Sequence, residues 1–493
     1  MPATYPTPRI GLITGGVAML GTLAILRILN GLSGSRALAE SLADGILLLL
    51  PVDIFSWLKT TLGDQAKSWL LIGIVVGFVA LGTLLGGWIA AGKDAWRGRV
   101  YQAASGLFVL AIVLIYAIDR PQLRDQFVAT TLTLAAGALV FGLFVHSLLQ
   151  ASVQGDTYSP SRRIAIGTMA AGIGALVLGR DIRNVWQHQA DTTSAAAEDD
   201  ITPAITPNDE FYRISKNFSD PTHTSGPNWR MEIAGEVDQP GNWSMEQFQA
   251  LGAEQSISTM LCISNEVGGN LIGTAEWTGL PLSTVLDEVG AVGEFVYFTG
   301  LDGYETSVPM ERCRQPQAFL VWGMNGEPLP DNHGAPMRAM IPGLYGMKSV
   351  KWITKIEIAT TDKLGYWEER GWTNEAVVKP MSRIDFPKRT SNLNEGPIIV
   401  RGIAFGGDGG LKGVEVSTDD GDSWNAARIT EEPNPDGVAW SLWQYDWAAP
   451  AGNHTLVVRM IAEDGSVQTD EEASPIPDGS SGWHTVPVVV NRR

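Results

Sequence analysis

Ser258-Thr-Met-Leu-Cys-Ile-Ser-Asn-Glu-Val-Gly-Gly-Asn270 runs from a strand-like stretch into a polar, glycine-rich loop, with Cys262 at the junction. A run of β-branched and apolar residues stopped by a Gly-Gly pair is a strand meeting a turn. A thiol there is in a position for chemistry, because the strand fixes it while the loop leaves it reachable. Taken alone, a lone cysteine at a strand end is more often a small buried side chain. The only other cysteine is Cys313, in Glu311-Arg-Cys-Arg-Gln315, and it reads as structural. Two cysteines in 493 residues build neither a disulfide framework nor a zinc cluster.

Upstream, the chain is of a different kind. Crossing a hydrocarbon layer takes about 20 mostly apolar residues, and residues 10–32, 69–91, 100–118, 127–151 and 164–179 are the stretches that suit it. Residues 1–185 therefore read as a transmembrane helical domain of about five spans. Residues 45–58 are apolar but short and carry Pro51 and Asp53, which suggests an interfacial helix. Lys93, Arg97 and Arg99 in one loop, with Arg162 and Arg163 in another, place both loops in the cytoplasm. The last helix then exits, so the remainder of the chain is expected outside a cell membrane crossed several times. Gly73, Gly77, Gly82, Gly86 and Gly87 permit close helix contact. Ser161-Arg-Arg-Ile-Ala-Ile166 resembles an internal twin-arginine export signal, although two arginines flanking a helix as topology determinants fit it equally. Of six histidines only His146 lies in an apolar segment. A haem held by two imidazoles needs a second, so no haem is expected there.

Charge divides the chain in the same place. Through residue 185 there are 14 basic and 9 acidic residues; beyond it, 21 basic and 44 acidic, net −23. A field of that sign repels nucleic acid and anionic lipid, which excludes a nucleic-acid partner. Residues 186–206 are polar and read as a linker. Residues 207–385 mix short strands, such as Phe295-Val-Tyr-Phe-Thr299, with helical pieces at 244–250 and 282–289, so the domain is α+β. Residues 390–493 are all-β, with Pro397-Ile-Ile-Val-Arg-Gly-Ile-Ala-Phe405 and Thr455-Leu-Val-Val-Arg-Met-Ile-Ala462 as strands and Asp419-Asp-Gly421 and Glu463-Asp-Gly465 as turns. That is a small β-sandwich, whose Trp424, Trp440, Trp443 and Trp447 are expected in its core or against a neighbouring domain.

From Ile205 to about Val488 the chain resembles the sulfite oxidase family, a molybdenum domain followed by an immunoglobulin-like dimerisation domain. Ile205-Thr-Pro-Asn-Asp-Glu-Phe-Tyr-Arg213 resembles the lead-in segment that touches the pterin, and Cys262 with Asn265 and Gly268-Gly269 resembles the metal-ligand loop. Thr274-Ala-Glu-Trp-Thr-Gly-Leu-Pro-Leu282 is similar to the stretch that follows that loop. Gly300-Leu-Asp-Gly-Tyr-Glu-Thr-Ser-Val-Pro309 is similar to the segment with a pterin-binding aspartate and an active-site tyrosine. Met324-Asn-Gly-Glu-Pro-Leu-Pro330, His333-Gly-Ala-Pro-Met-Arg338 and Pro342-Gly-Leu-Tyr-Gly-Met-Lys-Ser-Val-Lys-Trp352 complete the order.

The resemblance implies a molybdenum-molybdopterin cofactor with Cys262 as the metal's thiolate ligand, a soft donor suited to a high-valent centre. Phe211, Tyr212, Arg213, Asn265, Asp302, His333, Arg338, Ser349, Val350 and Lys351 are the implied cofactor contacts, and Tyr304 and Arg213 the implied catalytic partners of Cys262. Sulfite-oxidising members carry arginines soon after the ligand cysteine, whereas this chain has Ile263-Ser-Asn-Glu266. Arg213 is the candidate for replacing that charge. The expected activity is oxidation of sulfite or a similar small sulfur compound outside the membrane, with electrons passing to an external acceptor. Reduction of S- or N-oxides at the same site is the alternative, and a homodimer is implied. A Cys262/His333 hydrolase lacks an oxyanion hole in the sequence, and a scaffold that has lost its cofactor is at odds with the intact Cys262, Asp302, His333 and Arg338 set.

Overall fold

In a computed structural model the described residues are 5–33, 42, 43, 46, 66–118, 123–153, 202–217, 220, 221, 226, 228–389, 391, 393–434 and 438–492. They fall into two compact units, one drawn from residues 1–193 and the other from most of the rest.

The first unit contains helices α1 (Pro8–Ser33), α2 (Ala66–Ala90), α3 (Trp96–Ile118) and α4 (Leu123–Val153). Over their described residues three stretches are long and apolar enough to cross a membrane: Pro8–Leu29, Trp69–Ala90 and Thr131–Gln150. They overlap the expected spans at 10–32, 69–91 and 127–151, and the expected 100–118 lies within α3. The expected span at 164–179, the Arg162-Arg163 pair and most of residues 45–58 lie outside the described residues.

Helices α1 and α2 meet backbone to backbone. A Cβ built on Gly15 would lie 2.1 Å from the Gly82 carbonyl oxygen, and one on Gly86 2.1 Å from that of Gly11, so only glycine fits the crossing. Gly87 likewise lies under Leu12. Gly73 and Gly77, expected on the same contact face, meet nothing within 4 Å. The reason is helical rotation: at about 100° per residue, five residues from Gly77 to Gly82 turn the side chain about 140° away. Met19, Ile89, Trp96, Phe141 and Leu149 form the apolar interior of this unit, and the His146 ring lies 5.3 Å from that of Trp96.

The second unit begins with ten strands: β1 (Arg230–Gly235), β2 (Gly241–Ser244), β3 (Glu254–Leu261), β4 (Ile272–Pro281), β5 (Phe295–Gly300), β6 (Glu305–Pro309), β7 (Phe319–Met324), β8 (Glu327–Pro328), β9 (Arg338–Met340) and β10 (Ile353–Ala359). One sheet has the order β2-β1-β10-β5-β6, and a second has β3-β4-β7-β8 with β9 on β7. Helices α5 (Met245–Ala250), α6 (Leu282–Glu288) and α7 (Met310–Cys313) connect them. Ser244 caps α5 in a reciprocal box with Gln247, which satisfies two N–H groups that the helix start would otherwise leave bare. Met231, Phe248, Val285, Phe298 and Ile356 pack between the first sheet and α5 and α6. Cys313 is fully buried there, and burial pushes its thiol up, so it is an inert apolar side chain.

Nine further strands follow: β11 (Met381–Phe386), β12 (Leu393–Asn394), β13 (Gly396–Phe405), β14 (Gly413–Ser417), β15 (Asn425–Ala426), β16 (Arg428–Glu431), β17 (Ser441–Ala449), β18 (Gly452–Ile461) and β19 (His484–Asn491). Sheets β11-β13-β17-β16 and β12-β19-β18-β14-β15 share one core of Val400, Val416, Trp443, Trp447, Leu456 and Val488. Trp440 belongs to a second cluster, where Ile403, Phe405 and Leu442 of this part meet Leu261, Ile263, Tyr345 and Trp372. Trp424 does neither: it meets Trp483 edge to face at 4.9 Å with the Arg459 guanidinium 3.9 Å above it. Strand β19 alternates in burial, whereas β13, β17 and β18 each carry a continuous buried run, so apolar runs bounded by turns made this part readable.

The glycine crossing predicts that Gly15→Leu or Gly86→Leu lowers the thermal midpoint of the detergent-solubilised chain, followed by circular dichroism. Gly77→Leu, on the open face, leaves it unchanged, and an equal loss from all three substitutions would contradict the crossing.

Candidate functional site

Strands β3 and β4 pair from Glu254↔Gly279 to Leu261↔Ile272, so the loop 262–271 is the hairpin connection and Cys262 is its first residue. The Cys262 amide donates to the Leu271 carbonyl at 2.9 Å and the Cys262 carbonyl accepts from the Asn265 amide at 3.0 Å. Asn265 closes the loop from inside, its Oδ1 accepting from the Leu271 amide at 2.8 Å. The Ser264 hydroxyl lies 3.1 Å from the Cys262 sulfur, placed to donate to it once it is a thiolate.

The C-terminal sheets roof this loop. Arg383 Nη1 donates to the Gly269 carbonyl at 2.8 Å, and the Ser480 hydroxyl to the Asn265 carbonyl at 2.7 Å. His484 packs on Gly268, where φ is +75° and a Cβ would lie 2.4 Å from the ring, so a side chain is excluded twice over. His484 Nδ1 accepts from the Ile384 amide at 3.0 Å, which makes Nε2 the protonated nitrogen.

Cys262 itself is 8% exposed. One side of it packs into Phe211, Tyr212, Met260, Trp277 and Met340. The other side lines a solvent-open cavity with Asn265, Glu266, Tyr345, Lys379 and Ser480, whose empty volume is ≈ 360 Å³ with open solvent included.

Beside the apolar side lies a cluster of cations. Arg338, on β9, is 3% exposed and donates to the His333 carbonyl at 3.0 Å and the Ser349 carbonyl at 3.0 Å, with Met260 Sδ 3.4 Å from Nη2. None of its partners among the described residues is a carboxylate, and burial lowers its pKa to about 10. His333 donates from Nε2 to the Asn208 carbonyl at 2.9 Å. Burial, then the charges of Arg338, Lys351 and Arg213, depress its pKa to about 4. Lys351, its ammonium 4.2 Å above the Trp352 ring, has a pKa lowered to about 8, mainly by burial. Trp352 holds φ +51°, an outlier for a bulky side chain, and its ring N–H donates to the Asp331 carbonyl at 2.7 Å. That strained turn aims Lys351 across Gly334, where a Cβ would lie 2.9 Å from the Lys351 Cβ.

The other expected site residues are distributed as follows. Phe211 stacks on Tyr212 at 5.5 Å and meets the edges of His333 and Trp277 at 5.7 Å each. Asp302 is buried in the turn before Tyr304, whose amide donates to its Oδ1 at 3.0 Å. Ser349 and Val350 give their carbonyls to Arg338 and to the Ala339 amide. The Tyr304 hydroxyl donates to the Met347 carbonyl at 2.6 Å, which commits its proton within the protein. Arg213 is exposed and pairs with Asp220 at 3.0 Å, alongside Lys351, so it stands with the cation cluster and is absent from the lining of the Cys262 cavity.

Three features escaped sequence reasoning. Tyr345, 2% exposed, and Lys379 line the cavity from a 3-10 turn and from the lead-in to β11. Ser264 contacts the sulfur but reads as an ordinary loop serine. Lys348 and Glu368 form a buried ion pair at 2.6 Å, joined by Thr306 and Asn374, which anchors the Gly346–Lys348 turn beneath the site.

A buried guanidinium without a counter-charge, next to a depressed histidine and lysine, is the donor set for an anionic, hydrogen-bonding heterocycle with a phosphate. The thiol is a soft metal donor. A molybdopterin cofactor fits these residues.

Comparison with known proteins agrees. Residues 218–367 match the family model of the oxidoreductase molybdopterin binding domain, and residues 372–490 that of the Mo-co oxidoreductase dimerisation domain. Mitochondrial sulfite oxidase of Homo sapiens is 27% identical over 339 residues, covering 58% of this chain and 62% of that protein. Sulfite oxidase of Arabidopsis thaliana is 24% identical over 348 residues, covering 58% and 88%. The putative protein-methionine-sulfoxide reductase subunit YedZ1 of Azospira oryzae is 31% identical over 146 residues, covering 29% and 54%. The crystal structure of the sulfane dehydrogenase SoxCD from Paracoccus pantotrophus shares the fold, with a TM-score of 0.51 at 24% identity over 58% of this chain and 81% of that one. The chain thus spans about three-fifths of the length of the human relative.

Two predictions follow from these charges. His333 and His484 both fall from 6.5 in the unfolded chain to about 4 when folded. The unfolded chain therefore binds more protons between those values, and stability falls as pH drops from about 6.5 toward 4, by on the order of 3 kcal/mol per histidine. Denaturant melts of His484→Gln flatten that window if the account is right; an unchanged slope contradicts it. Arg338→Met removes the uncompensated charge, so the purified chain loses molybdenum, measured by elemental analysis, while the melting temperature of its cofactor-free form stays the same or rises. A cofactor-free form that melts far lower, with molybdenum retained, would show Arg338 to be purely structural.

Proposed function

Because the chain belongs to the sulfite oxidase family of molybdopterin oxidoreductases, we propose that it carries out molybdenum-dependent oxygen-atom transfer at a small sulfur compound. The observation that carries the reading is the setting of Cys262: a thiol fixed at a strand end, with an uncompensated buried cation beyond one flank and a solvent-open cavity on the other. Cys262 would hold the metal, while Asp302, His333, Arg338 and Lys351 would hold the pterin and its phosphate. When bound, the cofactor supplies two-electron oxygen-atom chemistry. The protein's residues orient it, and Ser264 steadies the negative charge on the sulfur.

Oxidation of sulfite, SO₃²⁻ + H₂O → SO₄²⁻ + 2H⁺ + 2e⁻, with electrons leaving to an external acceptor, is the direction favoured by the sulfite oxidases among the relatives. A second reading, R₂SO + 2H⁺ + 2e⁻ → R₂S + H₂O, is favoured by the cavity: its lining carries one cation, Lys379, and one anion, Glu266, and so has no net charge to hold a dianion. The YedZ1 relative, named as a sulfoxide reductase subunit, points the same way. We read residues 1–185 as a membrane anchor, 207–385 as the catalytic domain outside the membrane, and 390–493 as an immunoglobulin-like sandwich that pairs two copies. The Lys/Arg bias supports that orientation, and three apolar helices support the anchor.

Elemental analysis of the purified full chain is expected to find stoichiometric molybdenum. Steady-state assays with sulfite and ferricyanide, and with dimethyl sulfoxide and reduced viologen, are expected to show turnover of at least one substrate. Cys262→Ser abolishes that turnover and lowers the sulfur coordination number of molybdenum by one in X-ray absorption, the cofactor's own sulfurs remaining. A wild-type chain free of molybdenum, or an active Cys262→Ser variant, would sink the reading.

A further inference from the structure

A count of hydrogen-bond donors around the Cys262 cavity separates those already used from those left open. Ser382 donates to Gln468 Oε1 at 2.7 Å, Gln468 Nε2 to the Gly482 carbonyl at 2.9 Å, Ser480 to the Asn265 carbonyl at 2.7 Å, and Ser481 to the Glu471 carbonyl at 2.7 Å. These side chains hold the cavity wall together: the three serine hydroxyls have no proton to spare for a ligand, and Gln468 keeps one N–H beyond the one given to Gly482.

Three others differ. Asn265 is 5% exposed, and its Oδ1 is fixed by the Leu271 amide, so its Nδ2 is the amide's other arm; that NH₂ group meets no acceptor among the described residues. The Tyr345 hydroxyl accepts from the Lys379 amide at 3.3 Å, and its own proton meets no acceptor among the described residues. Lys379 Nζ donates to the Gly479 carbonyl at 3.0 Å and lies 3.4 Å from the exposed Asp478 carboxylate, which leaves its third N–H open. Two open donors and a cation lining one solvent-reached cavity beside the sulfur match a ligand that brings acceptors.

We propose that Asn265, Tyr345 and Lys379 form the substrate-oxygen subsite, and that it takes a small oxo-sulfur compound that is neutral or singly charged in preference to a dianion. The proposal rests on the oxygen-atom-transfer reading for its placement at Cys262, and it adds the residues and the charge class. Asn265 Nδ2 and the Tyr345 hydroxyl are neutral donors that bind an S=O oxygen whatever the charge of the molecule. Lys379 adds the one positive charge, opposed by Glu266 in the same lining. Leu261, Val267, Pro380 and Met381 supply the apolar wall that alkyl groups on sulfur would touch. No arginine lines this cavity among the described residues.

The test uses the full chain in detergent, as purified, with molybdenum content measured on the same sample. Two unreactive probes, dimethyl sulfone (neutral) and sulfate (dianionic), are titrated calorimetrically. Wild type is expected to bind the sulfone more tightly than sulfate. Tyr345→Phe and Asn265→Asp, the latter keeping the Oδ1 acceptor for Leu271, each weaken sulfone binding about tenfold. Lys379→Met weakens sulfate several-fold more than it weakens the sulfone, and Lys379→Arg restores sulfate binding. Thermal melts within a few degrees of wild type show that each variant is folded. Tighter binding of sulfate than sulfone by wild type, or sulfone binding unaltered in both Tyr345→Phe and Asn265→Asp, overturns the proposal. Absence of molybdenum with the probes bound as described would instead overturn the oxygen-atom-transfer reading and leave the subsite standing.

Discussion

An arginine sealed under the Cys262 loop without a counter-charge is the constraint on which the rest of the site depends. Taking a guanidinium out of water is costly, and carbonyl oxygens satisfy its N–H groups without cancelling its charge. In Arg338 the carbonyls of His333 and Ser349 do the former and nothing among the described residues does the latter. The surroundings are built to hold that state. Strand β9 is three residues long and is pinned to β7 and to the Val350 carbonyl. The left-handed Trp352 keeps Lys351 alongside. Such strain persists where the structure around it over-determines the conformation, and it is found where a ligand is to be met.

The second constraint is that the loop carrying Cys262 is not complete within its own sheets. Its outer face is closed by Arg383, Ser480 and His484 from the C-terminal part, and the strand before it by Trp440, whose amide donates to Thr259 at 2.7 Å. The cavity lies along this seam, the usual place for a ligand site between two packed layers. Removing the C-terminal part would uncover the loop, bare Gly268 and Gly269, and take away half of the cavity wall. The two family matches that divide the chain at about residue 370 are therefore one functional surface.

Much of this was legible in the residues. The strand-to-loop change at Cys262, the helical piece at 244–250 and the buried Trp443 and Trp447 follow from local pattern, because each is decided by apolar content or by a turn. What was not legible depended on rotation or on distant contacts. Gly73 and Gly77 look like Gly82 and Gly86 in sequence but face the opposite way. Arg213 was the natural substitute for missing cations, yet its nearest carboxylate, Asp220, holds it beside Lys351. Tyr304 had the expected spacing after Asp302, but the Met347 carbonyl takes its proton. Tyr345 and Lys379 reach the cavity from turns whose positions are set only when the two sets of sheets pack, so nothing near Cys262 in sequence could announce them.

Charge is segregated across the sulfur, and under the proposed function that segregation would select what enters. One side concentrates Arg338, Lys351 and Arg213 beside His333, whose lowered pKa keeps it neutral, and burial makes Arg338 and Lys351 more responsive to an arriving anion. The cavity lining has a single lysine, already paired with Asp478, and a single glutamate, in a part of the chain that carries net −23 beyond residue 185. A multiply charged anion approaching that mouth meets repulsion from the surface field and finds no focused positive charge to offset it. A neutral molecule with a strong oxygen acceptor meets neither obstacle. On the function proposed above, the same cysteine would sit between an anion site that holds the cofactor and a polar, nearly uncharged opening that admits substrate.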